Sequence, residues 1–177
     1  MSEETLEKIL EAARRVFARH GYDAPLRLIA AEAGVAKSLI VWYFGSKWGL
    51  VRRIALESLP GDIAQRCLSQ GLRGDSLARC LIQGFMEKYS SDESRRLLVE
   101  TMALSVWNEE VAEEVARFCS DVIGRLAEGI YGSDTPENRV RVRILFGGLM
   151  CYALNKPKCA SPQLYAEVLE KVAGCQI

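Results

Sequence analysis

The sequence predicts an all-α protein, with a short helix-turn-helix head followed by a larger helical bundle. Three observations predict it. Apolar residues recur at the i, i+3, i+4, i+7 spacing of a helix with one buried stripe, and no segment reads as a strand. Breaks fall at Gly and Pro clusters, such as Pro60-Gly61, Gly71–Gly74 and Gly132–Pro136. Two short helical segments are joined by Ala-Gly-Val within IAAEAGVAKSLIVWYFGSK, residues 29 to 47.

Taken in order, the first helix is expected over Glu3 to Arg19. Its stripe is Leu6, Ile9, Leu10, Ala13, Val16 and Phe17, its acidic start suits the positive end of the helix dipole, and Gly21 ends it. The second helix is expected over Leu26 to Ala33, with Pro25 tolerated at its first turn. Gly34 supplies the positive φ that stops it and turns the chain. The third is expected over Lys37 to Phe44, pinned to the second by Val35 and Ile40. A fourth starts at Ser46, a suitable N-cap, and runs to about Ser58. Pro60-Gly61 then marks a domain boundary, giving a head over 1–58, with the helix-turn-helix at about 26–45, and a body over 59–177. In the body the pattern predicts helices at about 62–71, 75–90, 93–106, 109–131, 136–155 and 162–173.

Composition bounds the function. The chain has 177 residues, 49% of them hydrophobic, which is enough for a buried core. Net charge is zero, which argues against a general polyanion binder, but the charge is unevenly placed. Arg14 to Arg53 holds eight basic residues against Asp23 and Glu32, whereas Glu109 to Glu128 holds six acids against two arginines. A basic head beside an acidic body suits a DNA-binding unit on a body with another task. Glu3, Glu4 and Glu7 stand where a secretory signal needs positive charge, and the longest apolar run, 144–154, is too short for a membrane span of ~20 residues. The expected location is cytoplasmic. The six cysteines are scattered without a CxxC pair and read mostly as small buried hydrophobes in reduced form. Spacing leaves a Cys151–Cys159 or Cys159–Cys175 bridge open as an alternative. One histidine is too few for a Cys-His zinc site, so neither metal nor cofactor is expected.

The segments ILEAARRVFARHGYDA (9–24), IAAEAGV (29–35) and WYFGSKWGLV (42–51) together resemble the tetracycline-repressor-like (TetR) family of transcription regulators. The resemblance covers about the first 55 residues; the remainder agrees in length and helical character. It implies a dimeric DNA-binding protein whose C-terminal domain takes an effector. Four positions depart from the family pattern. Pro25 stands where a Thr commonly begins the second helix, Ala36 where Ser is common, Ser38 where Gly is common, and Val41 where Tyr is common.

A helix-turn-helix sets its second helix in the DNA major groove. The candidate DNA-binding residues are therefore Arg27, Lys37, Ser38, Leu39, Trp42, Tyr43 and Lys47. Lys37 reaches a base edge or a phosphate, Tyr43 offers a hydroxyl to phosphate, and Lys47 at a helix start makes an anion site. Leu39 and Val41 meet thymine methyls but form no hydrogen bonds, which shifts readout toward DNA shape. In the body, Phe85, Met86, Tyr89, Met102, Trp107 and Phe118 are candidates to line a pocket for a small apolar effector, against the alternative of plain core. The segment 144–154 is apolar all round and must be covered on every side. A partner subunit is the expected cover, through Ile144, Gly147, Gly148, Cys151 and Tyr152. The lack of HExxH, GxSxG or a Gly-rich phosphate loop argues against an enzyme. The expectation is a ligand-responsive repressor that binds a pseudo-palindromic double-stranded operator as a homodimer. The alternative is a helical dimer that binds a ligand or protein and has lost specific DNA binding.

Overall fold

A computed structural model describes residues 3–155 and 160–174. Among them are ten helices and no strand: α1 (Glu3–His20), α2 (Leu26–Ala33), α3 (Lys37–Phe44), α4 (Lys47–Ser58), α5 (Gly61–Ser69), α6 (Gly74–Lys88), α7 (Asp92–Trp107), α8 (Glu109–Tyr131), α9 (Pro136–Asn155) and α10 (Pro162–Gly174). They fall into two compact units.

The first unit holds the residues up to Leu59 together with Ser91–Ala112, so α7 belongs to it. The division expected from sequence, 1–58 against 59–177, has no counterpart to the return of Ser91–Ala112 to this unit. The reason for the return is packing. Leu97 of α7 joins a core made by Ile9, Val16 and Phe17 of α1, Ile29 of α2, Ile40 of α3 and Ile54 of α4, and Leu104 packs against the same cluster. The apolar period of 92–107 says only that its stripe must be covered, not by which helix.

Three buried hydroxyls tie this core together. Thr101 lies 2.8 Å from both Tyr22 and Ser58. Thr101 donates to the Leu97 carbonyl and Ser58 to that of Ala55. The Tyr22 phenol hydrogen is thus the one left to serve the Tyr22–Thr101 contact. Burial pushes the Tyr22 hydroxyl up to about 12, against the pull of its bonds to Thr101 and Ser58.

The second unit holds Pro60–Ser90 and the chain from Glu113 onward. In it α6 packs against α5, α9 and α10. Gly61 and Gly84 permit close approach: a Cβ on Gly61 would enter the Phe118 ring, and one on Gly84 would stand 2.6 Å from Ile63. Two cysteines here depart from the reading of reduced hydrophobes. Cys67 of α5 and Cys80 of α6 are joined by a disulfide with a Cα–Cα distance of 6.0 Å. Their bond depends on α5 and α6 folding back on one another, which a 13-residue spacing does not reveal. Cys119 and Cys151 are free thiols, and burial raises the Cys119 thiol above its ordinary value. Cys159 and Cys175, and with them both bridges left open by the spacing, lie outside the described residues.

Helix α9 is apolar on three faces with three different fates. Val142, Leu145, Leu149 and Ala153 are buried. A second face meets α10: a Cβ on Gly148 would stand 2.7 Å from Leu169, the rings of Tyr152 and Tyr165 lie 4.9 Å apart, and the Tyr165 hydroxyl donates to the Gly148 carbonyl. The third face, Val140, Ile144, Gly147, Cys151 and Leu154, is exposed. Of the residues expected at a partner subunit, Gly148 and Tyr152 contact α10 of their own chain, whereas Ile144, Gly147 and Cys151 are exposed.

Candidate nucleic-acid interface

The local sequence builds the α2–turn–α3 pair from its backbone. Gly34 takes φ +67°; its N–H bonds to the Ala31 carbonyl, and the Val35 N–H bonds to that of Ala30. This paired closure is the Schellman way of ending a helix, and it needs a residue at ease with positive φ. Neither helix of the pair begins with a side-chain cap, because Pro25 and Ala36 occupy the cap positions. The start of α4 does have one: Ser46 Oγ accepts from the Gly49 N–H at 3.0 Å. Gly49 is itself tightly held, since a Cβ there would run into the Phe44 carbonyl oxygen.

Within α3 the side chains divide by face. Ile40 is fully buried, while Leu39, Tyr43 and Phe44 are half-buried. Lys37, Ser38, Val41 and Trp42 are exposed, at the i, i+1, i+4, i+5 spacing of a single helix face. Trp42 is 67% exposed, with its ring centroid 5.1 Å from that of Tyr43 in an edge-on pair. An indole left this open on a face that also carries a lysine is suited to a partner outside the chain. Arg27 of α2 is exposed, and Lys47 at the start of α4 is half-buried.

The basic block is not uniformly available. Arg14 bonds to Glu7 and Glu57, Arg53 pairs with Glu57, Arg15 bonds to Glu32 at 2.8 Å, and Arg19 lies 3.8 Å from Glu32. Burial works against the Arg14 charge, but Glu57 and Glu7 outweigh it and raise its pKa. The Arg15 hydrogen bond holds the Glu32 carboxyl below its ordinary value. Arg27, Lys37 and Lys47 take part in none of the ion pairs among the described residues. Sequence counting missed this sorting. The Arg53–Glu57 pair was legible from its i, i+4 spacing, but the pairs made by Glu32 and the Arg14–Glu57 pair join different helices.

The effector candidates divide between the two units. Phe85 and Tyr89 are buried core of the second unit, their rings 4.4 Å apart, and Phe146 stands 6.4 Å from Phe85. Met86 and Phe118 are half-buried in that unit. Met102 and Trp107 belong to the first unit, and Trp107 is 87% exposed. None of the six lines either of two grooves on the second unit, which are walled largely by polar and charged side chains. No group of three or more metal-ligating side chains is found among the described residues, and no described helix is long and apolar enough to cross a membrane.

Residues 9–54 match the family model described as bacterial regulatory proteins, tetR family. The family likeness in sequence is thus confined to this N-terminal segment. The HTH-type transcriptional regulatory protein RaaS of Mycobacterium tuberculosis is 51% identical over 43 residues, which make up 24% of this chain and 20% of that protein. The match thus spans about a fifth of that relative's length. Across the whole chain the likeness is one of fold. A TetR-like transcriptional regulator from Rhodococcus sp. RHA1 superposes with TM-score 0.74 at 20% identity, covering 98% of this chain and 95% of that one. Salmonella enterica GusR superposes with TM-score 0.75 at 21% identity, covering 98% and 96%.

Proposed function

We propose that this protein is a TetR-family, ligand-responsive repressor that binds a pseudo-palindromic operator as a homodimer. The observation that carries the reading is the sorting of charge in the first unit. The arginines around α3 are neutralised by Glu32 and Glu57, while Lys37, Lys47 and Arg27 stay unpaired beside the open Trp42. In this reading α3 enters the major groove. Lys37 and Trp42 face base edges or the groove wall, and Ser38 and Leu39 flank them. Tyr43 and Lys47 meet phosphate, the latter with the amide groups at the start of α4. Arg27 holds the backbone across the groove. The exposed face of α9, with Leu164, Val168 and Val172 exposed on α10, supplies the surface for a two-fold partner. Such a dimer spaces two reading helices by about one DNA turn, ~34–36 Å. A small apolar effector that favours the other arrangement of the dimer shifts the population and releases the operator. Of the apolar side chains singled out for it in the second unit, half-buried Met86 and Phe118 keep exposed surface to offer, whereas Phe85 and Tyr89 are committed to core.

The test is selection of bound duplexes from a random-sequence pool, followed by titration of the selected and a scrambled duplex across a salt series. Lys47→Ala is expected to weaken both alike and to lower the salt slope by about one unit. Lys37→Ala is expected to cost ~1–3 kcal/mol on the selected duplex and less on the scrambled one. If both variants match the parent on every duplex, α3 is not the reading element. If no duplex binds even at low salt, the chain is a helical binding module without specific DNA recognition.

A further inference from the structure

We propose that Cys67 and Cys80 are a thiol–disulfide exchange site, opened and closed by small thiols through Cys80. The two cysteines differ in access. Cys67 is wholly buried in α5, whereas Cys80 is half-exposed and lines a groove of about 820 Å³ between α5 and α6. That volume lies within the ~300–1,000 Å³ range of small-molecule sites, large enough for a tripeptide-sized thiol. Arg66, Asp75, Arg79 and Glu87 all line the same groove. The Arg66 guanidinium lies 2.7 Å from where a Gly84 Cβ would stand, one helical turn beyond Cys80. Cationic neighbours favour the thiolate and attract carboxylate-bearing thiols.

The proposal rests on the DNA-binding reading for its setting. A protein that reads the chromosome works where thiols are kept reduced, and a cysteine pair in bonding geometry there is typically catalytic or redox-sensing. Oxidation begins at the accessible sulfur. The Cys80 thiolate attacks a low-molecular-weight disulfide, a mixed disulfide forms on Cys80, and one small thiolate leaves and takes up a proton. The Cys67 thiol then gives up its proton and attacks Cys80 Sγ, closing the Cys67–Cys80 bond and expelling the second small thiol. Two protein thiols lose two electrons, and one small disulfide becomes two thiols. Excess small thiol runs both steps backward.

Glutathione and its disulfide serve as probes on the full chain, with acid quenching, alkylation and peptide mass spectrometry as the readout. The bond is expected to open in excess glutathione and to close again in excess glutathione disulfide. Cys67→Ser is expected to accumulate one glutathione on Cys80. Cys80→Ser is expected to take none on Cys67 unless the chain is unfolded. A bond that stays closed in the folded chain under a large excess of glutathione, or glutathione carried by Cys67 in place of Cys80, overturns the exchange site. The mass readout does not depend on DNA binding, so it judges the exchange even where no duplex binds and the DNA-binding reading fails.

Discussion

At the scale of the residue, the side chains that matter most are those whose chemistry is settled by a neighbour far away in sequence. Tyr22 is the clearest. The end of α1 at Gly21 just before it was legible, but the Tyr22 hydroxyl acquires meaning only from Thr101 on α7, which in turn meets Ser58 at the end of α4. Its folded pKa of about 12 lies above the ordinary 10.0, so the fold favours the protonated phenol. That contribution is complete below pH 10 and is lost as pH rises through about 12, a swing on the order of 2–3 kcal/mol. Tyr22→Phe is expected to cost ~1 kcal/mol at neutral pH, because Thr101 and Ser58 keep their bonds to carbonyls. It should also flatten the stability decline between pH 10 and 12. Denaturant midpoints for parent and variant across that window check both statements; parallel declines would mean that Tyr22 does not titrate with unfolding. The same logic separates the cations proposed to face DNA from the rest. The sequence displays eight basic residues from Arg14 to Arg53, but only the fold shows Glu32 and Glu57 withdrawing several of them.

At the scale of the element, helices and their ends were readable because period, caps and breakers are local. Gly34 ends α2 and Ser46 starts α4 for reasons visible in a few adjacent residues. What was not readable is which helix covers which. The partner of α7, the disulfide between α5 and α6, and the contact of Gly148 with α10 all join elements whose pairing no local pattern encodes. Glycines inside helices show the difference sharply. Replacing a mid-helix glycine with alanine ordinarily gains up to ~1 kcal/mol. At Gly49 the sign is expected to reverse, because the new Cβ meets the Phe44 carbonyl, part of the backbone, and cannot be relieved by a side-chain rotation. Gly49→Ala is expected to lose ~1–3 kcal/mol and to weaken DNA binding, since the α3–α4 junction that positions Tyr43 and Lys47 must shift. Thermal unfolding and duplex titration of this variant supply the check. A stabilised Gly49→Ala protein with unchanged affinity would show that the junction has slack.

At the scale of the whole molecule, the open question is what covers the third face of α9. An all-round apolar helix was the sequence signal for a partner subunit, and two of its three faces are satisfied within the chain. The third presents Ile144 at 58% exposure, Val140 at 53% and Leu154 at 52%, flanking Gly147 and Cys151. With Leu164, Val168 and Val172 exposed on α10, this apolar surface is broader than scattered single residues account for. The glycine pair allows a discriminating experiment. A side chain at Gly148 would strike Leu169 of the same chain, so any effect there mixes folding with assembly. A Cβ at Gly147 meets nothing within 4 Å. Gly147→Arg is therefore expected to leave the single chain folded, or slightly more stable through helix propensity, while placing a large charge in the surface proposed for the partner. Sedimentation is expected to show monomers for Gly147→Arg and dimers for the parent. Duplex titration is expected to show a large loss on the pseudo-palindrome and little change on a single half-site, because joining two reading heads raises the effective concentration of the second. A Gly147→Arg protein that remains dimeric and binds the full site as tightly as the parent would place the interface on another face.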